Sequence, residues 1–141
     1  KVLNDPKVQI VIHFSRKDKS AIENFLKPNC KITNLFDTKV CSRLARKYSN
    51  EHGLSALCQE FAGVRLDKKI ASSDWAKDIS EYSQKEKEYE AGDVQHLFLI
   101  KTKLEAMLKR EKKYDIFLKC MEFIDTRIEI DNLGIDKLFD H

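Results

Sequence analysis

Val8, Ile10 and Ile12 alternate with Gln9 and Val11 in a run that ends at Phe14, a pattern that reads as a buried-type β-strand. A single strand of this kind cannot hide both of its faces, so it dictates a sheet with neighbours on either side. The chain opens on Lys1 rather than Met and reaches this strand almost at once. Lys1–Asn4 reads as a helix end and Asp5-Pro6 as a turn. Upstream sequence is therefore expected, carrying the strands that would complete the sheet. With 141 residues the chain has room for one domain, spanning 1–141, and not for two.

Beyond the strand the chain is mostly helical in character. Four Gly, two Pro and 35% charged residues disfavour an all-β sandwich or a disordered tail. Ser15 is positioned to cap a helix over 16–27, with Ile22, Phe25 and Leu26 on its buried side and Pro28-Asn29 ending it. Residues 34–37 read as a short strand and 38–50 as a helix in which Val40, Leu44 and Tyr48 recur. Arg43, Arg46 and Lys47 crowd its C-terminal half, where they suit the helix dipole. Asp37 reads as the N-cap of this helix rather than as a ligand.

Gly53 separates it from an apolar helix over 54–61, which Gly63 stops. Residues 64–80 read as a loop, and Ser83-Gln-Lys-Glu86 as a capping box opening a helix to about Lys113. Leu97, Ile100, Leu104, Met107 and Leu108 form its core stripe. A last amphipathic helix over 114–124 precedes an irregular tail. The class is α/β or α+β with a helix-rich second half.

Several functions are excluded by what the chain lacks. No apolar run approaches the ~20 residues of a bilayer span, and residues 1–14 do not form a signal peptide. Cys30, Cys41, Cys58 and Cys120 stand 11, 17 and 62 positions apart, without C-x-x-C or a finger-like His partner. They read as reduced thiols of a cytoplasmic protein rather than a zinc site or a disulfide framework. Charge is uneven: residues 1–50 hold 11 Lys/Arg against 4 Asp/Glu, whereas 51–100 hold 6 against 10. The first third suits an anionic partner, although Lys-rich helices are commonly just solvated.

Two carboxylates stand out by position. Asp18 lies in the first helical turn after the Val8–Phe14 strand, where open α/β sheets place ligands. Asp93 follows Tyr89 by four residues, so both positions share a helix face, and Gly92 beside it leaves room for a close approach. Hard divalent cations take carboxylate and phosphate oxygens, and a two-metal site for phosphoryl transfer uses such ligands with a Tyr to align the attacking water. Alone, such residues also fit an ordinary helix surface.

Their order along the chain is more specific. His13-Phe-Ser-Arg-Lys-Asp18, Leu35-Phe-Asp-Thr38, Gly53-Leu-Ser-Ala-Leu57, Ser73-Asp-Trp75 and Tyr89-Glu-Ala-Gly-Asp93 together resemble the ribonuclease D family of 3′–5′ exonucleases. The segments 46–53, 72–76 and 109–112 resemble most the small alphaproteobacterial nanoRNase C group, which acts on very short RNAs, dinucleotides above all.

The resemblance implies a ribonuclease H-like α/β fold, N-terminally incomplete in this chain. It implies two Mg²⁺ or Mn²⁺ ions as cofactors, with Asp18 and Asp93 as metal ligands and Tyr89 as the catalytic residue that aligns the water. It also implies hydrolysis of short RNA to nucleoside 5′-monophosphates and a ring-like homo-oligomer. The family's Asp-x-Glu motif has no counterpart in these 141 residues. The segment expected upstream, with the first three strands, would supply it; the alternative is an inactive remnant that binds nucleic acid or oligomerises.

Around that site, Tyr48 and His52 are candidates to hold a 5′ phosphate, the alternative being a Tyr packed under a helix end and a His near its C-cap. His13 is a candidate substrate contact or a buried His hydrogen-bonded to backbone. Ser73 is a candidate ribose or phosphate contact, with Trp75 an anchor of its loop.

Overall fold

The computed structural model describes residues 2–26, 30–65 and 84–140, with side chains at all of them except 17 and 85–94. Two short parallel strands, β1 (Ile10–Ile12) and β2 (Leu35–Asp37), pair in the register Ile10↔Leu35, Val11↔Phe36 and Ile12↔Asp37. Helix α1 (Ser15–Phe25) makes the crossover between them. Helix α2 (Thr38–Ala45) starts directly from the end of β2. Helix α3 (Leu54–Leu57) continues as a π-helical turn over Cys58–Ala62. The long α4 (Gln84–Arg110) and α5 (Tyr114–Asn132) complete the described chain.

The two-residue period of a strand sorts the core into two layers. Val11 and Phe36 face a cluster of Cys41, Ala45, Leu57, Cys58, Ile100, Leu104, Leu108 and Phe117. Ile10, Ile12 and Leu35 face the other way, toward Ile32, Ile22, Ile124 and Met121. The sheet is thus covered by α2 and α4 on one face and by α1 and α5 on the other. Phe36 is the central piece: its ring centre lies 4.8 Å from that of Phe117, and Lys101 Nζ sits 5.3 Å above it. Among the described residues β1 pairs with β2 alone.

Several boundaries differ from the sequence expectation. The Val8–Phe14 run keeps strand geometry over only three residues. Ser15 does not cap α1: the cap position is Phe14, in the left-handed region at φ 66°, and Ser15 is the first helical residue. Phe25 is 87% exposed and Leu26 also faces solvent, leaving Ile22 to make the apolar contact. The reason is that α5 holds α1 along its first half, through Arg16 with Asp131 and Lys19 with Asp125. No described element covers its last turn.

Helix α2 ends at Ala45 rather than near Asn50, because the chain turns at Arg46 and the guanidinium faces inward. The expected helix ending at 61 is an α-turn followed by a π-turn, and Gly63 at φ 68° does stop it. Helix α4 ends at Arg110, with Lys112 at φ 59°. Helix α5 runs eight residues past Ile124, because Ile128 and Ile130 extend its apolar side and Arg127 pairs with Asp131 one turn on. Of the expected loop over 64–80 only Val64 and Arg65 are described; Ser73, Trp75 and the Ser83 of the capping box lie outside the described residues.

Candidate active site

Both strands point their C-terminal ends at helix N-termini, and one carboxylate serves both helices. Asp37 Oδ1 accepts from the Lys39 and Val40 amides of α2 at 2.8 and 3.3 Å, the capping role expected of it. The same side chain also reaches α1. Oδ1 accepts from Phe14 N at 3.2 Å, and Oδ2 accepts from Ser15 N at 2.8 Å and Ser15 Oγ at 2.7 Å. Asp37 and Ser15 are fully buried, so these amides have no water to replace the bonds.

Asp18 sits one turn into α1, exposed, with no hydrogen bond or ion pair among the described residues. Its neighbour Lys19 is committed elsewhere, to Glu23 and Asp125. A free carboxylate beside the C-terminal ends of parallel strands is of the right donor type for a hard divalent cation. Among the described residues no group of three or more His, Cys, Asp or Glu gathers into a metal cluster.

The side chains of Tyr89 and Asp93 lie outside the described residues, but their main chain is helical. Positions 89, 93, 97, 100 and 104 follow one line along α4. Ile100 and Leu104 on that line are fully buried in the main core.

His13 hydrogen-bonds through Nδ1 to Thr38 Oγ1 at 2.9 Å and also bonds the main chain of His52. Burial pushes its pKa down to about 4, the Asp37 charge opposing and the Lys39 charge reinforcing the shift. The ring is neutral at ordinary pH and spends its nitrogens on the protein, which fits the structural alternative better than substrate contact.

At the far end of α2, Arg46 is only 3% exposed and uses its whole fork. It donates to both Glu60 oxygens at 2.9–3.3 Å, to Ser42 Oγ at 3.0 Å and to the Glu51 carbonyl at 2.5 Å. Its Nη1 lies 3.4 Å from His52 Nδ1, and Ser42 Oγ lies 2.8 Å from the same nitrogen. The two hydrogens of Nη1 already meet Ser42 Oγ and the Glu51 carbonyl, and the Ser42 hydroxyl can either donate to His52 Nδ1 or accept from it. Burial lowers the His52 pKa, followed by the positive charges of Arg46 and Arg43. Glu60, in turn, is held below the usual carboxylate range chiefly by its hydrogen bonds from Arg46. Tyr48 is 67% exposed and donates its hydroxyl to Glu60 Oε2 at 2.6 Å.

The structure therefore brings His13 and His52 together beside Lys39 and Arg43. The sequence marks Arg46 only as a charge that suits the helix dipole, and carries no signal for its part as the hub beside His52. Glu60, fourteen residues away, gave no signal. The sequence shows Asp37 as one cap; the structure has it serve two helices.

A family model described as "3'-5' exonuclease" matches residues 1–109. The chain belongs to the 3′–5′ exonuclease family, and its α/β architecture is that family's ribonuclease H-like fold. It is similar to Brucella melitensis NrnC with bound Mg²⁺, at 34% identity and TM-score 0.81 over 95% of this chain and 63% of that one. The same values hold for Brucella melitensis NrnC bound to pGG. A structure described as the apo form of the nuclease gives TM-score 0.87 at 34% identity, over 99% of this chain and 67% of that one. The chain thus spans about two thirds or less of these relatives' length. No curated protein matches it. No helix among the described residues is long and apolar enough to cross a membrane.

Proposed function

We propose that the chain is part of a metal-dependent 3′–5′ exoribonuclease of ribonuclease D type that cleaves short RNA, dinucleotides included, to nucleoside 5′-monophosphates. The observation that carries this reading is the Asp18 carboxylate, exposed in the first turn of the helix that follows β1 and without a bond among the described residues. It lies in a frame shared at 34% identity with nucleases whose structures hold Mg²⁺ or pGG.

Asp18 and Asp93 would hold the cations, two Mg²⁺ or Mn²⁺ as the fold family implies. When bound, such ions stabilise charge on the phosphate oxygens and ready a water for attack on the 3′-terminal phosphodiester. The phenol of Tyr89, one helical turn before Asp93, would align that water. His52 would offer a ring N–H to a 5′ phosphate by turning it from the Ser49 main chain. Lys39 and Arg43, on the same side of α2, draw the anionic substrate toward it. Tyr48 would join by turning its hydroxyl from Glu60 to the phosphate, and Ser73 would contact ribose or phosphate.

The domain, one unit over 1–141, works in the cytoplasm in this reading. The Asp-x-Glu carboxylates come from a segment preceding Lys1, and further copies of the chain assemble around the site. One other reading is an inactive module that binds nucleic acid or oligomerises. The two separate in an assay of mononucleotide release from a 5′-phosphorylated diribonucleotide by the full-length protein. Activity that needs Mg²⁺ or Mn²⁺ and disappears in Asp93→Asn supports the enzyme. Binding without release supports the module.

A further inference from the structure

We propose that Asp37 is the positioning residue for Asp18, fixing the first turn of α1 so that this carboxylate stands where the metal site needs it. The inference rests on the reading of Asp18 as a metal ligand and adds to it the residue that places it.

The turn between β1 and α1 hinges on Phe14, which has φ 66° and ψ 61°. This left-handed conformation is costly for a bulky L-residue and persists only when its surroundings hold it. The holding comes from three successive residues at the start of α2. Thr38 binds His13, and Asp37 takes the amides of Phe14 and Ser15 together with the Ser15 hydroxyl. Lys39 Nζ sits 4.0 Å from the centre of the Phe14 ring. Residues 37–39 thus grip residues 13–15, and Asp18 comes within the same helical turn.

Asp18 has no bond of its own among the described residues, so its place is inherited from that grip. Capping α2 takes only one carboxylate oxygen, Oδ1, which serves Lys39 and Val40. The second oxygen, Oδ2, is spent entirely on Ser15. A residue needed only as a cap would have no use for it.

This division supplies the test. Asn caps a helix as well as Asp does, so Asp37→Asn keeps one acceptor for α2. It then presents an NH₂ donor where Ser15 N–H needs an acceptor. In the full-length protein, half-saturating Mn²⁺ for hydrolysis of a 5′-phosphorylated diribonucleotide should rise about tenfold and kcat should fall about tenfold. These are the lower ends of what disturbing the support of a metal ligand costs. KM for the dinucleotide should stay within about twofold. Amide exchange should quicken at Ser15 and stay slow at Val40.

Leu108→Ala, a core truncation in α4, controls for general destabilisation and should leave half-saturating Mn²⁺ unchanged. Should Asp37→Asn fail to fold, Ser15→Ala removes one bond to Oδ2 and should raise half-saturating Mn²⁺ by about two- to threefold. Unchanged Mn²⁺ dependence and kcat in the folded variant overturn the proposal. Asp18→Asn run alongside keeps the two readings apart. If it is inactive while Asp37→Asn behaves as wild type, the positioning role fails and the metal site stands. If it retains full activity, the metal site itself fails.

Discussion

The two ends of α2 are built from opposite charges and do opposite work. At the N-terminus a buried carboxylate, Asp37, is consumed by five donors from two helices and offers nothing outward. At the C-terminus a buried guanidinium, Arg46, is satisfied by Glu60, Ser42 and a main-chain carbonyl, and it lies against the His52 ring. Each charge matches the helix dipole at its end. One end grips the turn that leads into Asp18, and the other packs against the His52 ring.

The contrast breaks first on stability. Asp37→Ala leaves buried amides with no partner and uncaps two helices at once, a loss of about 3–4 kcal/mol. Arg46→Ala should cost less, about 2–3 kcal/mol, because the abandoned Glu60 side chain is one third exposed and can turn to water. Urea unfolding of both variants measures the order. The reverse order would mean that the guanidinium, not the carboxylate, anchors α2.

Titration sharpens the difference next. The His13 pKa of about 4 lies below its ordinary 6.5, so the unfolded chain binds the extra proton between those values. The His13 contribution is complete above pH 6.5, is lost as pH falls through that window, and levels off below about 4. From pH 6.5 to 5 the loss is about 2 kcal/mol. The lowered His52 pKa acts in the same direction, whereas lowered carboxylates such as Glu60 act only at more acid pH. Urea midpoints across this window should flatten in His13→Gln and change far less in His52→Gln.

The smallest effect is on substrate choice. If His52 holds a 5′ phosphate, His52→Ala should reduce dinucleotide cleavage by about tenfold, the worth of one hydrogen bond to a charged group. On a ten-nucleotide RNA, which has other contacts to draw on, the loss should be under about threefold. Equal losses on both substrates contradict the assignment.

The same division separates the legible from the hidden in the sequence. Asp37-Thr38 ahead of an amphipathic run announces a helix cap because that signal is local. The reach of Asp37 to Phe14 and Ser15, more than twenty residues back, has no local signature. The helical spacing of Leu44 and Tyr48 extends α2 to Asn50 on paper. Spacing cannot show that Arg46 finds Glu60 and the Glu51 carbonyl only if the chain turns. Phe25 fits the apolar stripe of α1, but periodicity names a face and not the element that covers it. The core stripe Ile100, Leu104 and Leu108 is legible because all three meet the sheet and α2 at regular intervals.

The central claim is that Asp18 and Asp93 meet at one metal site. Mn²⁺ added to isotope-labelled full-length protein tests it through the broadening of amide signals by the paramagnetic ion. The account predicts selective loss of the signals around Asp18 and around Asp93, with Asp131 and Asp136 untouched, and no selective loss in Asp18→Asn. Broadening confined to one of the two segments, or spread evenly over the exposed carboxylates, would contradict it.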